Sequence, residues 1–251
     1  MRARSIVLLG IAAYAAFLVA TVPARWVAAR LALPPGVSLD AVEGTVWNGG
    51  GRIAAMGAQA DLRWHLVPAA LASARLAFAV QAAGDGLDAR AVLARTPGGY
   101  EAREVAVRAD AAQLAAAVPL LAAWRPAGRL SLSAPAIAWD GARARGSARG
   151  EWRDASLALA AVRPLGDYRV EARAEGGPAA FTVSTLAGAL RIAGHGTFAP
   201  PDALAFSGEG RAEPSAAGAL EPLLDLLGPR RADGAHAIEW RTVPPANLPR
   251  S

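Results

Sequence analysis

The chain has 251 residues, 53% of them apolar, a net charge of +5 and no cysteine. That length and apolar share suffice for a real hydrophobic core, and the missing thiols exclude disulfides, thiolate nucleophiles and cysteine metal sites. All 26 basic residues are arginine, which removes Walker-type phosphate loops, Schiff-base lysines and Ser-x-x-Lys nucleophile pairs, since each needs a lysine ammonium.

The position of the charge matters more than its sum. Arg2, Arg4, Arg25 and Arg30 all precede the first acid, Asp40, so from residue 31 onward 22 arginines face 21 acids. A near-neutral body lacks the basic footprint of a duplex-binding surface, so no nucleic-acid partner is expected.

Residues 5 to 22 carry no charge, and as a helix they would extend roughly 27 Å, close to the hydrocarbon thickness of a bilayer. The expected role is a single transmembrane anchor in residues 1–30, with a short cytoplasmic N-terminus and everything from residue 31 exported. A cleavable signal peptide is the competing reading, because Val22-Pro23-Ala24 offers small residues at peptidase spacing. The length of the run and the proline at the cut favour the retained anchor.

Beyond the anchor the pattern becomes period two, the mark of strands with one buried face. Leu76, Phe78 and Val80 alternate, and so do Val105 and Val107, Leu130 and Leu132, Leu157 and Leu159, Phe181 and Val183, Leu190 and Ile192, and Leu204 and Phe206. Between them, Gly84-Asp85-Gly86, Pro97-Gly98-Gly99, Gly176-Gly177-Pro178 and Pro200-Pro201-Asp202 supply turn chemistry at antiparallel spacing. Two short helices interrupt: residues 110–123, with Asp110 as N-cap, and 215–227, opened by Ser215 and closed by Gly228. The predicted fold class is mainly β: a transmembrane helix followed by a periplasmic antiparallel sheet domain over residues 31–241. Matches at about a hundred-residue offset (Trp47 with Trp152, Phe78 with Phe181, Pro119 with Pro222, Trp139 with Trp240) suggest two similar halves, 40–140 and 145–241, each with a short helix. Residues 242–251, with Pro244, Pro245 and Pro249, read as a disordered tail.

The densest motif is Gly44-Thr45-Val46-Trp47-Asn48-Gly49, a β-forming stretch with one large aromatic between glycines. It is followed by Leu62-Arg63-Trp64, Leu66-Val67-Pro68, Gly150-Glu151-Trp152, Pro164-Leu165-Gly166-Asp167-Tyr168, Gly188 to Gly194 and Leu226-Leu227-Gly228. In this order behind one N-terminal anchor, the set resembles the type II secretion system protein N family, also called general secretion pathway protein N. The resemblance implies a non-catalytic, single-pass inner-membrane protein with a periplasmic domain, accessory to the machine that exports folded proteins across the outer membrane, with other secretion subunits as partners. Gly44, Thr45, Trp47, Gly49, Trp64, Pro68, Trp152, Leu165, Gly166, Tyr168, Gly188, Gly194 and Gly228 are its motif positions, expected to be structural. The aromatics among them suit a β core and the glycines suit turns or bulges.

No catalytic constellation stands out. His65, His195 and His236 form no His-x-x-x-His or His-Glu-x-x-His spacing, and neither a Gly-x-Ser-x-Gly elbow nor a Gly-x-Gly-x-x-Gly fingerprint occurs. No catalytic residue, cofactor, metal or small-molecule substrate is therefore expected. A second reading stays open: a curved sheet with one apolar face, hung from a membrane helix, also resembles the architecture of AsmA-like envelope proteins and would handle lipid. The two readings diverge on whether that face is covered or left as an open trough.

Overall fold

The computed structural model describes residues 2–30, 33, 36–55, 58–113, 123–199 and 203–242, with the backbone alone for residues 2–9, 12, 55 and 58. The chain opens with helix α1 (Arg2–Ala20) and a short helix α2 (Ala24–Ala28). Then come β1 (Val37–Gly44), β2 (Asn48–Ala55), β3 (Ala58–Leu66), β4 (Leu76–Gly84), β5 (Leu87–Thr96), β6 (Gly99–Asp110), β7 (Ala127–Trp139), β8 (Ala144–Ser156), β9 (Gly166–Glu175), β10 (Ala179–Gly188), β11 (Leu190–Ala199) and β12 (Ala203–Ala212). Helix α3 (Ala217–Leu227) and β13 (His236–Arg241) complete the described structure. Among the described residues no helix is long and apolar enough to cross a membrane.

Among the described residues, thirteen strands form one antiparallel sheet in sequence order, so each strand pairs with its chain neighbours, and β1 and β13 are the edges. The turn signals at Gly84-Asp85-Gly86, Pro97-Gly98-Gly99 and Gly176-Gly177-Pro178 coincide with hairpin connections, while Pro200-Pro201-Asp202 lies outside the described residues. Of the helix predicted over 110–123, Asp110 ends β6, residues 111–113 are helical and Ala123 lies in a turn, while 114–122 lie outside the described residues. The second predicted helix is present, but Ser215 does not cap it. Pro214–Ala216 forms a 3-10 turn that leads into α3, whose start has no side-chain cap hydrogen bond. Of the predicted tail, Thr242 still donates its N–H to Leu204 O at 2.9 Å; residues 243–251 lie outside the description.

The register turns the period-two pattern into two continuous faces. One row of directly opposed residues runs from β2 to β13 through Gly51, Leu62, Ala82, Ala89, Val107, Leu132, Gly150, Val170, Val183, Gly194, Gly208 and Ile238, without a charge. The row one residue away points to the other face and is rich in opposed charges: Asp40, Arg52 and Asp61 are neighbours, as are Asp88 and Arg108, and Glu151 and Arg169. A one-residue slip in any strand would move its apolar side chains onto the charged face, so the register is strongly specified. Bulges at Ala41, Glu104 and Asp154, each with positive φ, absorb the irregularities and increase local twist.

The apolar face is covered unevenly. At its C-terminal end, α3 packs Leu220, Leu223 and Leu224 over Leu165 and Leu190, and this cluster is the enclosed core. Elsewhere apolar side chains on the sheet stay partly open, with Leu93 at 46% and Leu132 at 43% exposure. Among the described residues, α2 against β1 is the counterpart at the N-terminal end.

Candidate functional site at the helix-to-sheet joint

The Gly44–Gly49 motif forms the turn between β1 and β2, and the N-terminal helices attach there. Thr45 N–H donates to Asn48 O at 2.9 Å and Asn48 N–H returns to Thr45 Oγ1 at 3.1 Å, closing the turn. Gly44 has φ of +79°, and a side chain there would meet Asn48 O, so the chain reverses only with glycine at this place. The turn is then tied to the preceding segment. Val46 N–H donates to Val22 O at 3.0 Å, Pro23 bridges Thr45, and the Trp47 indole N–H donates to Val19 O at 2.7 Å, reaching the last turn of α1. Ala24, next in the chain, is 4% exposed.

The second tryptophan locks the same turn from the sheet side. Trp64 Nε1–H donates to Val46 O at 3.1 Å, and its ring lies where a Cβ on Gly49 would fall, 2.6 Å from Trp64 Cζ2. Leu66 N–H donates to Trp47 O at 2.7 Å, and the Trp47 ring stacks at 6.5 Å on Phe78. Pro68 begins the 3-10 turn Pro68–Ser73 that follows β3, where its missing N–H costs nothing. Beside this joint lies a cavity of about 550 Å³ lined by Ala24, Val27, Ala28, Leu39, Val42, Val46, Leu62, Trp64, Phe78, Val80 and Leu93. None of these side chains is ionisable or nucleophilic, so the lining offers apolar contact.

The remaining motif positions gather at the other end of the sheet. Leu165 is 2% exposed in the α3 core, donating its N–H to Ala155 O and accepting from Leu190 N–H. Tyr168 is buried and its hydroxyl donates to Leu190 O at 2.9 Å; burial and the neighbouring Asp167 raise its pKa. Trp152 tilts against Tyr168 and donates to Ala127 O at 3.1 Å. Gly166 opposes Gly188 across β9 and β10, Gly194 lies under the Phe206 ring, and Gly228 follows α3 with its N–H on Leu224 O. Trp47, Trp64 and Trp152 are only partly buried. They are half-buried and not enclosed core aromatics, because among the described residues no second sheet lies over them.

Two further places gather polar groups. A cleft of about 750 Å³ is lined in part by Asp85, Asp88, Arg108, Asp110, Arg129, Glu151 and Arg153. Arg169 and Arg153 hold the Glu151 carboxyl below its ordinary range, and Arg129 pairs with Asp154 at 2.6 Å, so opposite charges there compensate one another. At the end of α3, Glu221, Asp225 and His236 bring ligand-type atoms within 4.8 Å. There Glu221 pairs with Arg230 at 2.9 Å, and the His236 ring nitrogen Nδ1 sits 3.0 Å from Gly228 O. Sequence reasoning missed this grouping: only the i, i+4 carboxylates were visible, and nothing local joins them to a histidine on β13.

A family model described as Type II secretion system (T2SS), protein N matches residues 35–239, from just before β1 into β13. Neither a curated protein nor a solved structure matches the chain. The matched span contains the motif turn and the α3 core, while the helical side of the joint, Val19 to Ala28, precedes it. The chain belongs to the type II secretion system protein N family.

Proposed function

We propose that this protein is a non-catalytic accessory subunit of the type II secretion system, anchored in the inner membrane by α1, with the sheet in the periplasm and other secretion subunits as partners. The observation that carries the reading is the joint. The motif turn inside the family match is hydrogen-bonded to Val19 and Val22 at the end of the uncharged segment, so anchor and sheet work as one piece. The retained anchor gains support from the same contacts, because Pro23 bridges Thr45 and Ala24 is buried, so a cut at Val22-Pro23-Ala24 would remove part of the packed joint. Edge strands β1 and β13 and the charged face are surfaces on which a partner can dock, by strand addition or by complementary charge.

The proposed halves, 40–140 and 145–241, divide the sheet into β1–β7 and β8–β13. Phe78 lies on β4 and Phe181 on β10, Trp139 on β7 and Trp240 on β13, six strands apart in each case. That spacing relates β2–β7 to β8–β13, and leaves β1, which the first half also contains, without a counterpart.

The test is genetic and biochemical. Deleting the gene should lower the amount of folded protein exported to the medium, and complementation should restore it. Replacing Leu8, Leu9, Phe17 and Leu18 with aspartate should remove the protein from the membrane fraction, since each charge costs about 3 kcal/mol on insertion scales. Unchanged export in the deletion strain, or unchanged fractionation of the variant, would overturn the corresponding half of the reading.

A further inference from the structure

The cavity at the joint has features that the scaffold role does not use. Val27 on one side and Leu39, Leu62, Trp64, Phe78 and Val80 on the other line about 550 Å³ with no charged side chain. A soluble surface rarely leaves such a patch in water without an occupant. The volume lies within the range of sites that bury a small ligand, roughly 300–1,000 Å³, and an all-apolar lining selects hydrocarbon over any ligand with a buried polar group.

The surroundings say which hydrocarbon. The cavity shares Ala24 with the joint, and the joint is bonded to Val19 at the end of the uncharged run. If α1 is in the bilayer, the mouth of the cavity therefore lies at the membrane surface. Helix α2 at this mouth exposes Trp26 (60%) and Val27 (41%) between Arg25 and Arg30. Exposed tryptophan beside arginine is the chemistry of a lipid headgroup layer. Among the described residues neither Arg25 nor Arg30 is in a salt bridge, and Arg30 donates to Trp26 O at 3.3 Å, so both guanidinium charges remain open to an anionic phosphate. We infer that this cavity takes an acyl chain of an anionic phospholipid drawn from the adjoining leaflet, with Arg25 and Arg30 at its phosphate. The inference rests on the membrane-anchored reading above. Beyond the cavity the uncharged row continues through Ala82, Ala89, Val107 and Leu132, so the lipid site is the near end of a longer apolar face.

The test uses the full-length chain in phosphatidylcholine vesicles containing phosphatidylglycerol with a photoactivatable acyl chain. After illumination, mass spectrometry locates the adducts. Adducts are expected on β3 and β4, at Leu62, Trp64, Phe78 or Val80, as well as on α1. Leu93→Asp should lower the strand adducts about ten-fold, because a charge at the rim must be desolvated by the acyl chain, while leaving those on α1 unchanged. Ala28→Trp, which fills the cavity from the helix side, should do the same and serves if Leu93→Asp does not fold by circular dichroism. Arg25→Glu with Arg30→Glu should lower the yield from phosphatidylglycerol relative to a photoactivatable phosphatidylcholine. Adducts confined to α1 and α2, or strand adducts indifferent to both cavity variants, would overturn the lipid site and leave the anchor standing. Failure of the protein to float with the vesicles would overturn the anchor and the lipid site together.

Discussion

The two ends of the sheet use the same apolar face in opposite ways. At the C-terminal end α3 closes it, and Leu165 and Leu220 are at 2% and 0% exposure. At the N-terminal end α2 is five residues long, and the face opens into a cavity rimmed by half-buried side chains. Identical period-two patterning thus yields a core in one place and a surface in the other, and the difference is made by the helix laid on top. Enclosed apolar area is concentrated under α3, whereas the joint leaves apolar area open.

This contrast can be broken at graded cost. Leu220→Ala should destabilise the protein by about 2–5 kcal/mol, since it removes methyl groups from the most enclosed site and leaves a cavity; chemical denaturation reads it directly. Gly49→Ala should cost about 1–3 kcal/mol by pushing on Trp64, and should also lower the coupling between α1 and the sheet, seen as faster proteolysis near Ala24. Tyr168→Phe should cost about 1–2 kcal/mol because Leu190 O loses its hydroxyl donor. The raised pKa of Tyr168 adds a pH signature. Its stabilising contribution is complete below the ordinary tyrosine value of about 10 and is lost as pH rises toward the folded-state value, so Tyr168→Phe should flatten the alkaline decline. Leu93→Ser, at the open end, should move stability by only about 0.5 kcal/mol or less. Equal losses for Leu220→Ala and Leu93→Ser would erase the distinction between the two ends.

Much of this architecture was legible in the sequence. Alternation at Leu76, Phe78 and Val80 and at Phe181 and Val183 marks strands whatever they pair with, and the glycine and proline turns give antiparallel neighbours. The sheet's single-layer character was not legible, because alternation is the same whether the apolar face meets a second sheet, a helix or nothing. Bulges at Ala41, Glu104 and Asp154 carry no glycine and so left no local signal. The joint was half legible. Gly44 and Gly49 marked a turn or a bulge while the stretch between them read as strand, and the Trp47 bond to Val19 spans 28 residues and follows from tertiary packing alone.

The most direct test of the secretion reading is affinity purification of the full-length protein from cross-linked, gently solubilised membranes, with mass spectrometry of what comes with it. Type II secretion subunits enriched over an equally abundant, unrelated inner-membrane protein are the expected result. Recovery of the protein in intact form with no secretion subunit attached would contradict it.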